Sequence, residues 1–171
     1  MKTLILFIIF CLTACASKQK HLIHYLSSGV ENIKIFPTNE KDSARINTIN
    51  TTSEKSIEEC KKLKNATCID DRSNLVLNAV FPKGIHEFRS LLFKKFKLPK
   101  NAKEGENRVR VIIGTHNTIE KIEILKYTDL ETKKAIEDVF KLRRLNTWTS
   151  ASIYGIPVNE QFETSIFVVR K

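Results

Sequence analysis

Glycine and proline are scarce in this sequence, five and four residues in 171, and it holds a single tryptophan and a single methionine. So few glycines leave little room for a phosphate-cradling loop. Neither a Gly-x-Ser-x-Gly elbow nor the two-histidine helix motif of zinc proteases occurs. The four histidines are no better placed: His21 and His24 lie three apart in a polar stretch, and His86 and His116 stand alone. Nothing here points to an enzyme, a cofactor or a metal centre. The longest apolar run, Leu4 to Leu12, reaches about half of the ~20 residues that a helix needs to cross a hydrocarbon core, so a permanent transmembrane helix is not expected.

What the sequence does have begins at its first residues. Met1-Lys2-Thr3 carries one positive charge, the apolar run follows, and Thr13-Ala14-Cys15 closes it with small residues. This is the pattern of an export signal over residues 1–14. Leu12-Thr13-Ala14-Cys15 resembles the lipobox of bacterial lipoproteins, which implies cleavage before Cys15 and lipid attachment to its sulfur. The other reading is an ordinary secreted chain cut near Ala14 or Ala16. A lipoprotein would sit on a membrane facing the periplasm, and by resemblance to known sorting rules Ala16 directs it to the outer membrane. Losing Lys2 with the signal lowers the formal charge from +10 to +9. That excess favours anionic surfaces such as phospholipid headgroups, acidic wall polymers and acidic peptides, with a solvated lysine-rich face as the plainer reading. Nucleic acid is not a partner in that compartment. Cys11 leaves with the signal, so Cys60 and Cys68 remain and are expected to pair in an oxidising compartment.

Residues 15–79 read as a lipid-anchored tether, polar and loosely patterned. Leu22 to Leu26 is mildly apolar, Val30 to Phe36 leans towards strand, and Ile57, Cys60 and Leu63 suggest one short helix. Residues 80–171 read as a compact domain. Ile85, Phe88, Leu92 and Phe96 recur at helical intervals with Leu91 beside them, and Leu98-Pro99 ends that helix. Val109, Val111 and Ile113 alternate with Arg108, Arg110 and Ile112. A polar break at Thr115 to Thr118 precedes a second alternation from Ile119 to Ile124, which makes a hairpin. Thr128 with Glu131 forms a capping box for a second helix, expected to run to about Arg143 with Leu130, Ile136, Val139 and Phe140 inward. After a loop containing Trp148 and Gly155-Ile156-Pro157, Gln161 to Val169 reads as the last strand.

The predicted fold is therefore α+β, with two helices packed on a three-stranded antiparallel sheet. A crossover through the second helix sets the last strand parallel to the second hairpin strand, so it pairs with the first. The order is second, first, third, and the third strand is expected at an open edge.

These residues resemble the C-terminal domain of TonB, the envelope protein that touches outer-membrane transporters. The likeness rests on the ordered set Phe81-Pro82-Lys83-Gly84, Leu98-Pro99-Lys100-Asn101-Ala102, the alternating Val109 to Ile113, Ala135 and Val139, Trp148, and Gly155-Ile156-Pro157-Val158. It implies a non-catalytic module that binds a partner by strand addition along Gln161, Phe162, Glu163, Thr164, Ser165 and Ile166. The implied partner is an outer-membrane transporter or another envelope protein, with homodimerisation through the same edge as a further option. The chain lacks the membrane helix and proline-rich rod of a standard transducer, so energy transduction in the usual sense is not expected, and a TonB-related transport role with the lipid anchor in place of that helix is the second reading. A cell-wall-binding or structural lipoprotein is the alternative.

Overall fold

The computed structural model describes residues 21–171, so the signal segment and Cys15 lie outside the described residues. In chain order the elements are β1 (Leu22–Leu26), β2 (Glu31–Phe36), α1 (Glu40–Lys61), β3 (Val76–Leu77), α2 (Ile85–Lys95), β4 (Gly105–Ile113), β5 (Ile119–Lys126), α3 (Leu130–Phe140), β6 (Ala151–Ile153) and β7 (Ile156–Arg170). The α+β class holds, with three α-helices among the described residues and a seven-stranded antiparallel sheet. Alternation decides which face of the sheet is dry. Along β4, Asn107, Val109, Val111 and Ile113 are buried while Arg108, Arg110 and Ile112 turn to the other face. On β7, Phe162, Thr164, Ile166 and Val168 are buried with them.

Helices α2 and α3 cover that inner face. Phe88, Leu92 and Ile136 are fully buried, and Phe88 meets Trp148 at 5.1 Å and Phe162 at 5.7 Å between ring centroids. Each such side chain contributes roughly 1.5–3 kcal/mol by leaving water, so this aromatic cluster fixes the helices on the sheet. Ile85, expected on the same face, is 39% exposed. Helix α2 stops at Lys95, because Phe96 already has extended geometry. Helix α3 starts one residue later than the capping box implied. Asp129, not Thr128, is its N-cap and accepts from the Thr132 amide at 2.8 Å. Asp129 wins because its second oxygen also accepts the Lys103 amide at 2.9 Å, a bond from another part of the fold. Leu130 then points outward, 72% exposed, and the helix ends at Phe140 rather than Arg143.

The expected hairpin is present as β4 and β5, and β4 pairs with β7 from Gly105↔Val168 to Ile113↔Glu160. The order second, first, third is therefore observed for β5, β4 and β7. Strand β7 is longer than expected, because Ile156 to Val158 turns back on β6 through Tyr154 and Gly155, both at positive φ (53° and 74°). Two such residues make the hairpin turn whose twist matches its flanking strands.

The loose structure expected of residues 15–79 is corrected for the described part: Leu22–Leu26 and Glu31–Phe36 are strands built into the sheet, and the one short helix is the 22-residue α1. Ile46 of α1 packs with Ala151, Ile156 and Val158 in a second, smaller core. A disulfide joins Cys60 at the end of α1 to Cys68, with Cα atoms 5.9 Å apart.

Candidate functional site

The six residues expected on an open edge lie instead in the middle of the sheet. On the side away from β4, strand β7 is paired in succession by β6, β2 and β1: Ala151↔Val158, Lys34↔Gln161, Glu31↔Glu163 and Leu26↔Ile166. Ser27 closes the gap between β1 and β2. Its amide donates to the Ser165 carbonyl at 2.9 Å, and its hydroxyl accepts the Ser165 amide at 3.2 Å. The physical reason is general: a strand whose flanking side chains are buried cannot leave a row of amides and carbonyls without partners. Here the chain supplies those partners itself. Gln161, Phe162, Glu163, Thr164, Ser165 and Ile166 are thus a central strand, and neither strand addition nor homodimerisation can use that margin.

Glu163 shows how tightly β2 is fastened. On the outer face of the sheet its carboxylate, 4% exposed, accepts from Arg108 Nε at 2.8 Å, Arg110 Nη2 at 2.9 Å and Asn32 Nδ2 at 2.8 Å. Burial pushes its pKa up, but the bonds from Asn32 and Arg110 and the charge of Arg108 outweigh burial and hold it below the ordinary value. Each arginine also has a second carboxylate, Glu31 for Arg108 and Glu123 for Arg110. The network runs across β2, β7, β4 and β5. Asn32 itself sits at φ 52° where the β2 register shifts, so the bond to Glu163 pins a bulge.

The real margins of the sheet are elsewhere and they differ. On one side β5 presents Glu120, Lys121, Glu123 and Lys126, the charges that discourage pairing at an edge. On the other, none of β1, β2 and β3 has a second strand neighbour among the described residues. There the exposed side chains include Ile23, Tyr25 and Ile33, at 38%, 47% and 50%. Tyr25 stacks on Phe167 at 5.1 Å, and Leu26 and Val30 pack against the main core.

Beside β2 opens a cleft of about 260 Å³. Val30, Ile33, Val80, Ile85 and Trp148 give it apolar walls, and Glu160 lies among them. Glu160 is 5% exposed, and the one hydrogen bond its carboxyl makes within the described residues comes from the Ala79 amide at 2.8 Å. Burial raises its pKa, and the single amide bond does not reverse that. A carboxyl so placed is a ready receiver for a cationic group. A second, polar recess lies at the β4–β5 turn, where His116, Glu120 and the buried Asn159 meet.

Nothing in the sequence pattern marked Glu160, since its burial depends on residues 78–81 crossing over it. The Arg110–Glu123 contact could have been found from the hairpin register, which sets the two opposite each other, whereas that register sets Arg108 opposite Lys126 and its partners Glu163 and Glu31 lie on β7 and β2. His24 is packed between Phe93 and Phe96 at 4.8 and 4.9 Å. No group of three potential metal ligands occurs among the described residues, and no described helix is long and apolar enough to cross a membrane. Comparison with protein-family models, with curated proteins and with solved structures finds no match to the chain.

Proposed function

We propose that this is a lipid-anchored envelope protein, carried by Cys15, whose α+β domain is a non-catalytic module for a partner polypeptide. The resemblance to the TonB C-terminal domain supports the general mode, addition of a strand, and an outer-membrane transporter or another envelope protein as the partner. Its place differs from the one the resemblance implies. With the β7 margin closed, the partner strand adds outside β1 and β2. The observation that carries this reading is the contrast between the two margins. One is lined mainly by charged residues with Leu125 the exposed apolar exception, and the other ends in β1 and β2 without an outer strand neighbour among the described residues, where Ile23, Tyr25 and Ile33 are exposed beside Glu31 and Lys34. Backbone bonds give such a complex its affinity, and side-chain pockets give it selectivity. The Glu160 cleft beside Ile33 supplies such a pocket and selects a basic side chain with an apolar stem.

Photo-crosslinking residues placed at Ile23, Ile33 and, as a control, Leu125 test the assignment in intact cells. Adducts to an envelope protein are expected from Ile23 and Ile33 and not from Leu125. Adducts from Leu125 alone, or from none of the three, would overturn it.

A further inference from the structure

We propose that the end of the domain where β1 begins rests on an anionic phospholipid surface. Five lysines, Lys94, Lys95, Lys97, Lys100 and Lys103, fall within ten residues at the close of α2 and in the loop that leads to β4. All five are exposed, and none has an ion-pair partner among the described residues. The nearby acids are already engaged: Glu104 with Arg170, Glu106 with Lys126, and Asp129 with the Lys103 amide. With Glu104 and Glu106 neutralised by their own cations, only the Asp129 carboxylate offsets the five lysines, and this end keeps a net positive charge.

The fold brings this charge to the start of β1. The His24 ring sits on Phe93 and Phe96, and the Lys171 amide donates to the His21 carbonyl at 3.0 Å. Cys15 stands only six residues before His21, a reach of roughly 20 Å at full extension. On the lipoprotein reading, on which this inference rests, the lysines cannot move far from the headgroups, and tethering raises their effective concentration there. The lysines spread over a helix end and a loop without sharing a pocket, which suits a plane of charge better than one small anion. Phe93, 43% exposed beside them, adds an apolar group that can enter the interface. Each lysine near such a surface raises partitioning about five-fold.

The test uses the chain from residue 15 onward with Cys15→Ser, so that no acyl chain contributes, in sedimentation with phosphatidylcholine vesicles with and without phosphatidylglycerol. Binding at least about ten-fold tighter to the anionic vesicles, weakening as salt is added, is expected. Substituting Lys94, Lys95, Lys97 and Lys100 with glutamate abolishes it, and glutamine at the same four positions weakens it. The same charge change at Lys41, Lys55, Lys62 and Lys64 leaves it in place. Equal binding to both vesicle types, or equal loss in the two glutamate variants, overturns the proposal. Palmitate labelling of the unsubstituted chain tests the anchor separately: a label absent from Cys15 removes the lipoprotein reading, while the vesicle result still decides the surface.

Discussion

Replacing Glu163 by alanine removes the one carboxylate that Arg108 and Arg110 share and frees Asn32 from its partner. Breaking a buried ion pair costs about 3–5 kcal/mol when the surviving charge stays buried and alone. Here the arginine side chains are 31% exposed and keep Glu31 and Glu123, so part of that cost is recovered by water and by the second carboxylates. The expected loss is about 2–3 kcal/mol, or a drop of roughly 5–10 °C in melting temperature for a chain of this size. Thermal melts of Glu163→Ala, Arg110→Ala and the double variant measure it, with a coupling of about 1–2 kcal/mol expected between the two sites. Because the folded carboxyl titrates below its ordinary range, its contribution is present above about pH 4.3 and fades as pH falls through the depressed value. The gap between wild type and Glu163→Ala should therefore close in acid. A loss under about 0.5 kcal/mol at neutral pH, unchanged in acid, would show that the network does not hold β2 to the sheet.

Asp129 makes a sharper acid prediction: its carboxyl is pressed upward by burial but held down to about 2 by the amides of Lys103 and Thr132 and the hydroxyls of Thr132 and Thr128. Asp129→Ala should lose about 1–2 kcal/mol in denaturant titrations at neutral pH, and wild type should lose the same advantage as pH falls from about 4 to 2. Glu160 behaves in the opposite sense. Its raised pKa means that the ionised form weakens the fold above that value, so Glu160→Gln, which can still accept the Ala79 amide, should melt higher than wild type at pH 7. The difference should vanish towards pH 4, and a variant less stable at pH 7 would contradict the absence of a counter-ion for Glu160 among the described residues.

The parts of the fold that could be read from the sequence are those held by local pattern. The alternation of Val109, Val111 and Ile113, and the spacing of Phe88, Leu92 and Phe96, each name one buried face because one side of each element is dry. The order of β5, β4 and β7 followed from connection rules alone. Strands β1 and β2 resisted the same approach. Glu31-Asn32-Ile33-Lys34-Ile35-Phe36 is largely exposed, so its side chains carry no strict period, and it joins the sheet by backbone pairing to residues more than a hundred positions away. An edge is hard to read from sequence for a general reason: what covers it depends on hydrogen bonds that composition does not encode. Thr128 and Asp129 are both competent caps, and the choice between them lay with Lys103, outside the helix.

Amide hydrogen exchange on the intact chain, resolved at Gln161, Glu163 and Ser165, tests most directly whether the chain's own N-terminal strands close the β7 margin. These amides should exchange as slowly as those of Val109 and Val111 at the centre of the sheet, and the Glu163→Ala variant should quicken exchange in β2 first. Rapid exchange at the three positions in the unmodified protein, with β4 still protected, would mean that the margin is open and that the partner strand has been placed on the wrong edge.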